Sequence, residues 1–157
     1  VNEITVENVG INGKMSEFNA AVGLAQLSHF SEITSVREDR ERLYLDLLGD
    51  VKGLSLFNPI GQTNRNFSYF PVFVEPNFPL SRDDLYHRLR EADIYARRYF
   101  FPLISEFPMY APLASAKGQN LPVSTGLSRS VLCLPMHPLL TEPQVKEICR
   151  IIRSCSL

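Results

Sequence analysis

Apolar positions run almost without a break from Phe18 to Leu27. Phe18, Ala20, Ala21, Val22, Gly23, Leu24, Ala25 and Leu27 leave no polar face over the first turns of a helix. Ser16 stands at its N-cap position, where a hydroxyl accepts from an otherwise unpaired backbone N–H. A helix that is apolar all round must be buried on several sides, so this one is expected to pack against a partner subunit or another domain. Near Ser28 and His29 the pattern continues or bends into a second, amphipathic run. There Ile33, Val36, Leu43, Tyr44, Leu47, Leu48 and Val51 fall near helical spacing until Gly49, Asp50 and Gly53 break it. The mixed charges at 37–42 read as a solvated face with internal ion pairs.

Downstream the period changes. A turn-rich stretch at 58–64 precedes a strand over 67–74 that is apolar on both faces, in which Pro71 predicts an edge strand or a bulge. Ser81, Arg82, Asp83 and Asp84 open a helix with a capping-box-like pattern, and Leu85, Tyr86, Leu89 and Ala92 form its inner stripe. A short strand is predicted over 94–99. Pro102, Pro108, Pro112 and Pro122 punctuate a long irregular section, and 130–134 reads as a second buried strand. The last helix carries the clearest start: Thr141 as N-cap, Gln144 at the third helical position, and a Leu140/Val145 staple. Val145, Ile148, Ile151 and Ile152 form its inner face. This order predicts an α+β fold, a long N-terminal helix followed by a small sheet covered mainly on one side. Residues 1–53 would form a turn and long helix, and 54–157 the α+β domain.

With 157 residues there is room for one domain with a real core, or a compact domain plus an extension. Sixteen Lys and Arg against seventeen Asp and Glu give a net charge of −1. They are spread along the chain, so the basic face that nucleic-acid binding favours is missing. No membrane span and no signal peptide are expected. Cys133, Cys149 and Cys155, odd in number and in apolar or terminal contexts, fit reduced thiols and a cytoplasmic location better than a disulfide framework. The chain begins at Val1 and enters a strand-like segment at once, as a piece of a longer protein would.

The segment with chemical character is the turn before the first helix. Gly10 and Gly13 bracket Asn12 and Lys14, so both polar side chains can project from one tight turn. Gly13-Lys14 looks like the end of a phosphate-binding P-loop, but Asn8 stands where the first glycine is needed and Met15 where Ser or Thr is needed, so that reading fails. Cys133, His137 and Cys149 lack a zinc spacing, and no metal is expected. Asp83, Asp84, Asp39 and Glu41 lie at helix starts or on solvated faces, with no catalytic role required of them. The aromatic strand 67–73 reads as core.

The run from Gly10 to Leu24 (Gly-Ile-Asn-Gly-Lys-Met-Ser-Glu-Phe-Asn-Ala-Ala-Val-Gly-Leu) resembles the signature of the DegT/DnrJ/EryC1/StrS aminotransferases, pyridoxal-phosphate enzymes that aminate keto groups on nucleotide-linked sugars. Two later blocks agree, Ala96-Arg-Arg-Tyr-Phe-Phe-Pro-Leu103 and Val131-Leu-Cys-Leu-Pro-Met-His-Pro-Leu-Leu-Thr141. The resemblance is to the C-terminal part of such enzymes, and it implies the small α+β domain, with an antiparallel sheet, of a fold-type I aminotransferase. It implies pyridoxal 5'-phosphate as cofactor, a homodimer, a large N-terminal domain, a nucleotide-sugar substrate and glutamate as donor. It also implies that the cofactor-holding lysine lies upstream, so no catalytic residue is assigned here and the fragment alone should be inactive.

By the same resemblance Asn12 reaches the cofactor phosphate of the partner subunit, although Asn also suits a left-handed turn for its own sake. Lys14 stands where Arg is common and keeps the charge without the bidentate fork. Arg98 and Tyr99 border the sugar-nucleotide pocket, or are a surface strand pair. His137 is read as a turn residue. Ile104, Ser105 and Glu106 replace the His found in some relatives after Pro-Leu, which leaves those relatives' sugar contact without a counterpart. The second reading is a non-catalytic α+β module that docks a partner through its apolar first helix.

Overall fold

A computed structural model describes residues 13–57 and 65–156. The chain divides into two compact units, Val1–Glu32 and Ile33–Leu157. In the first, Ser16 caps helix α1 (Glu17–Ser28), its hydroxyl accepting from the Asn19 N–H at 3.2 Å. The turn at His29 closes α1 and a second helix, α2 (Phe30–Leu48), begins at once, so the continuous pattern becomes two helices. No residue of α1 is buried, and Phe18, Leu24 and Leu27 are exposed.

In the second unit the C-terminal half of α2 enters the core. Tyr44 and Leu48 are buried there, and the Tyr44 ring stacks on Phe70 with centroids 4.7 Å apart while its hydroxyl donates to the Pro135 carbonyl. The charged stretch beside them departs from its sequence reading. Glu41 is buried, and Arg65 clamps its carboxylate with two hydrogen bonds of 2.6 and 2.8 Å. Arg40 donates to the Leu140 carbonyl at 2.7 Å. These side chains tie α2 to distant segments, which a pattern of charges on one helix does not reveal.

Three antiparallel strands follow: β1 (Leu54–Leu56), β2 (Phe70–Val74) and β3 (Val131–Leu134), in the order β1-β2-β3. Pro71 therefore lies in the central strand, against the expected edge or bulge. Register explains why it is tolerated. Pro71 faces Cys133, whose own N–H and C=O are engaged by Arg97 on the far side, so this is a pair without mutual hydrogen bonds. The Pro71 nitrogen thus points toward β1, whose pairing has already ended at Leu56↔Val72. No ladder bond is lost.

Phe70, Val72, Leu132 and Leu134 share the sheet face that packs into the main core, together with α2, α3 (Arg82–Glu91) and α5 (Glu142–Ser154). The fold is thus α+β with its small sheet covered mainly on one side. Leu85 and Leu89 point inward from α3 as expected, whereas Ala92 is exposed and Arg82 is buried in its place. On α5 the Gln144 carboxamide oxygen accepts from the Thr141 N–H at 2.9 Å, and Leu140 and Val145 are both buried. The irregular section holds three short 3-10 turns and a helix missed in the sequence, α4 (Pro122–Ser130), which opens on its own proline. The strand expected over 94–99 reduces to one bridge, Arg97↔Cys133, because the Ile94, Tyr99 and Phe101 N–H groups close local turns.

Candidate functional site

Asp93 takes a left-handed φ of 57° after α3, and the chain then runs along the free side of β3. Arg97 and Cys133 exchange two backbone hydrogen bonds of 2.9 and 2.7 Å there. In extended chain, neighbouring side chains point to opposite sides, and this segment obeys that rule. Ala96 is buried in the core and Arg98 reaches α3, while Tyr95, Arg97 and Tyr99 face a cleft of about 700 Å³. Tyr69, His137 and Glu147 also line it. The Arg97 guanidinium donates to the Tyr99 hydroxyl, and Tyr99 meets Tyr69 edge-on at 5.6 Å.

Tyr99 and Arg98, paired in the sequence reading, are therefore separated. Arg98 lies 4.4 Å over the Tyr86 ring, and its Nη1 donates to Asp83 Oδ1 at 2.9 Å. Asp83 also lies 2.8 Å from Arg82 Nε, a contact that leaves Nε without an aligned hydrogen bond. Partial burial pulls the Asp83 carboxyl upward, but the Arg98 and Arg82 hydrogen bonds outweigh it and hold it below its usual range. Arg82 is the anchor of the group. It is buried, its Nη1 donates to the Ser128 and Val131 carbonyls, and the Phe101 ring covers it at 4.5 Å. Asp83, read from the sequence as a helix-start acid, lies in the first turn of α3 and is also shared by two guanidiniums.

His137, read from the sequence as a turn residue, sits in a turn beside the cleft, its carbonyl accepting from the Leu140 N–H. Burial pushes the Cys133 thiol up, against a smaller pull from the Tyr99 N–H, which leaves it a poor nucleophile. All three cysteines are free thiols. Lys14 is exposed two residues before the α1 cap, and Asn12 lies outside the described residues. Among the described residues no cluster of three His, Cys, Asp or Glu could hold a metal, and no helix is long and apolar enough to cross a membrane. Sequence reasoning passed over Arg97, although period-two alternation places it, rather than Arg98, beside Tyr99.

The sequence pattern of the DegT/DnrJ/EryC1/StrS aminotransferase family matches residues 1–153. The chain is 44% identical, over 96% of its length, to a dTDP-4-amino-4,6-dideoxy-D-glucose transaminase of Escherichia coli, and 40% identical, over 98%, to one of Shigella dysenteriae. It spans 40% and 41% of those two proteins. Among solved structures, S. venezuelae DesV in complex with a ketimine intermediate aligns with a TM-score of 0.83 at 26% identity, covering 99% of this chain and 40% of DesV. DesI in the presence of its TDP-sugar product aligns with the same score and identity, covering 94% of this chain and 37% of DesI.

Proposed function

The chain belongs to the DegT/DnrJ/EryC1/StrS aminotransferase family, and from that premise we propose that the protein carrying it aminates a keto-deoxysugar linked to dTDP, with glutamate as donor. One observation carries the reading: identity to the two dTDP-4-amino-4,6-dideoxy-D-glucose transaminases, 44% and 40%, runs along nearly the whole chain. The GDP-perosamine synthase of Vibrio cholerae reaches 30%. Carbon 4 of the sugar is accordingly the proposed site of amination.

Pyridoxal phosphate, when bound, supplies the electron sink for the transfer. The described residues do not fit it as a covalent anchor. A lysine that holds this cofactor is desolvated to lower its pKa, whereas Lys14, Lys52, Lys117 and Lys146 are all exposed. The anchoring lysine is therefore assigned to a large domain, and the proposed role of this chain is binding and orientation. Asn12 would donate its amide to the cofactor phosphate of the partner subunit in a homodimer. Lys14, Arg98 and Tyr99 are the proposed substrate contacts. Residues 1–53 would connect the large domain to the small one at 54–157. The apolar character of α1, which has no buried residue, supports an interface role. Three free thiols support a cytoplasmic setting.

The test is direct. Expressed from its complete reading frame and loaded with pyridoxal phosphate, the protein should convert glutamate and a dTDP-4-keto-6-deoxyhexose to 2-oxoglutarate and the 4-amino sugar nucleotide in equal amounts. A cofactor-loaded protein that forms no amino sugar contradicts the reading.

A further inference from the structure

We propose that the cleft between residues 92–99 and α5 receives the phosphate of the sugar nucleotide, with Arg97 as its guanidinium anchor. The proposal rests on the sugar-nucleotide reading above and adds a contact that the family resemblance did not supply. Its basis is a missing counter-charge. Arg40, Arg42, Arg65, Arg82, Arg88 and Arg98 each have a carboxylate within 4.0 Å. Arg97 does not. Its guanidinium donates to the Tyr99 hydroxyl, and it opens into a cavity of about 700 Å³. A planar fork with spare donors and no anion is matched to phosphate geometry.

The rest of the cleft says what the phosphate is attached to. Tyr69, Tyr95 and Tyr99 present three phenol rings, which offer flat apolar faces and hydroxyl groups to a sugar ring or a base. Of the two acids in the lining, Glu147 is held by Arg150 through hydrogen bonds of 2.6 and 2.7 Å. Asp93 has no ion pair among the described residues, and its carboxylate can accept from ligand hydroxyls. A cation at one place and a free carboxylate at another suit a ligand with phosphate at one end and sugar hydroxyls at the other. A doubly anionic ligand without hydroxyls would meet Asp93 unfavourably.

The backbone makes the placement rigid. The paired hydrogen bonds between Arg97 and Cys133 fix the Arg97 Cα against a fully buried strand, and Ala96 locks the alternation by filling the core. The guanidinium is thus presented from the sheet edge rather than from a long loop.

The experiment uses the complete, cofactor-loaded protein, with dTDP as the binding probe and the dTDP-keto sugar as substrate. Arg97→Ala should weaken dTDP binding and raise the KM for the sugar nucleotide at least about tenfold, the scale of one charge-assisted contact. The half-reaction with glutamate alone should keep its rate. Arg97→Lys should recover part of the loss, and Arg88→Ala, which removes an equal charge outside the cleft, should leave KM unchanged. Unaltered dTDP affinity in Arg97→Ala overturns the proposal, as does an equal loss in the glutamate half-reaction. Wild-type protein that binds dTDP through Arg97 yet transfers no amino group keeps this site and refutes the activity instead. Wild-type protein that does not bind dTDP refutes the site.

Discussion

Arg82 is the one buried arginine among the described residues. Its buried guanidinium holds the Ser128 and Val131 carbonyls, lies under Phe101 and fixes Asp83, which in turn holds Arg98. Removing it strands two carbonyls and one shared carboxylate in or near the interior. Breaking such a buried charged arrangement from one side costs about 3 kcal/mol. Arg82→Met should therefore lower the unfolding free energy by that amount, read as a lower urea midpoint at unchanged slope. A loss under about 1 kcal/mol would mean that water replaces the guanidinium at those carbonyls. None of this was legible at residue scale. Ser81-Arg-Asp-Asp reads as an ordinary helix start, and the partners of Arg82 lie 46 and 49 residues away. Arg97 was closer to reach, because alternation along 95–99 needs only the decision that the segment is extended.

Element scale separates what local chemistry decides from what pairing decides. The caps at Ser16, Ser81 and Thr141 appear where hydroxyls precede helical periods, since a cap depends on residues three apart. Pro71 was misplaced at an edge because strand order depends on which neighbour takes which face, and that is settled by Arg97 and Cys133. Helix α4 was lost among prolines, yet Pro122 is its first residue and needs no N–H there. The turn from α2 into β1 rests on Gly53. It holds φ at 81°, and a Cβ there would lie 2.6 Å from the Phe78 backbone. Gly53→Ala should destabilise the protein by more than about 2 kcal/mol, combining left-handed strain with a clash against backbone. Thermal unfolding checks this, and a neutral result would show that the Phe78 turn yields.

At the scale of the whole molecule, burial sets an alkaline limit. Burial pushes the Cys149 thiol up to about 12, against the pull of the Arg153 charge, and burial followed by Cys149 also raises Tyr44. The unfolded thiol ionises near 9, so stability is complete below that pH and falls as pH rises from 9 toward 12. Cys149→Ala should shift the onset of alkaline unfolding, followed by circular dichroism, to higher pH. An unchanged onset would assign the limit to Tyr44 alone. The fold class and the family were readable from periodicity and three motif blocks, because both are written in local sequence. The cleft was not, since it joins Tyr69, Arg97, His137 and Glu147 from four separate segments. The central claim concerns the reaction, and one comparison tests it most directly: kcat/KM of the complete enzyme for dTDP-, GDP- and UDP-linked 4-keto-6-deoxyhexoses with glutamate as donor. The account predicts amino-sugar formation with a clear preference for the dTDP substrate, whereas no transfer to any of the three would contradict it.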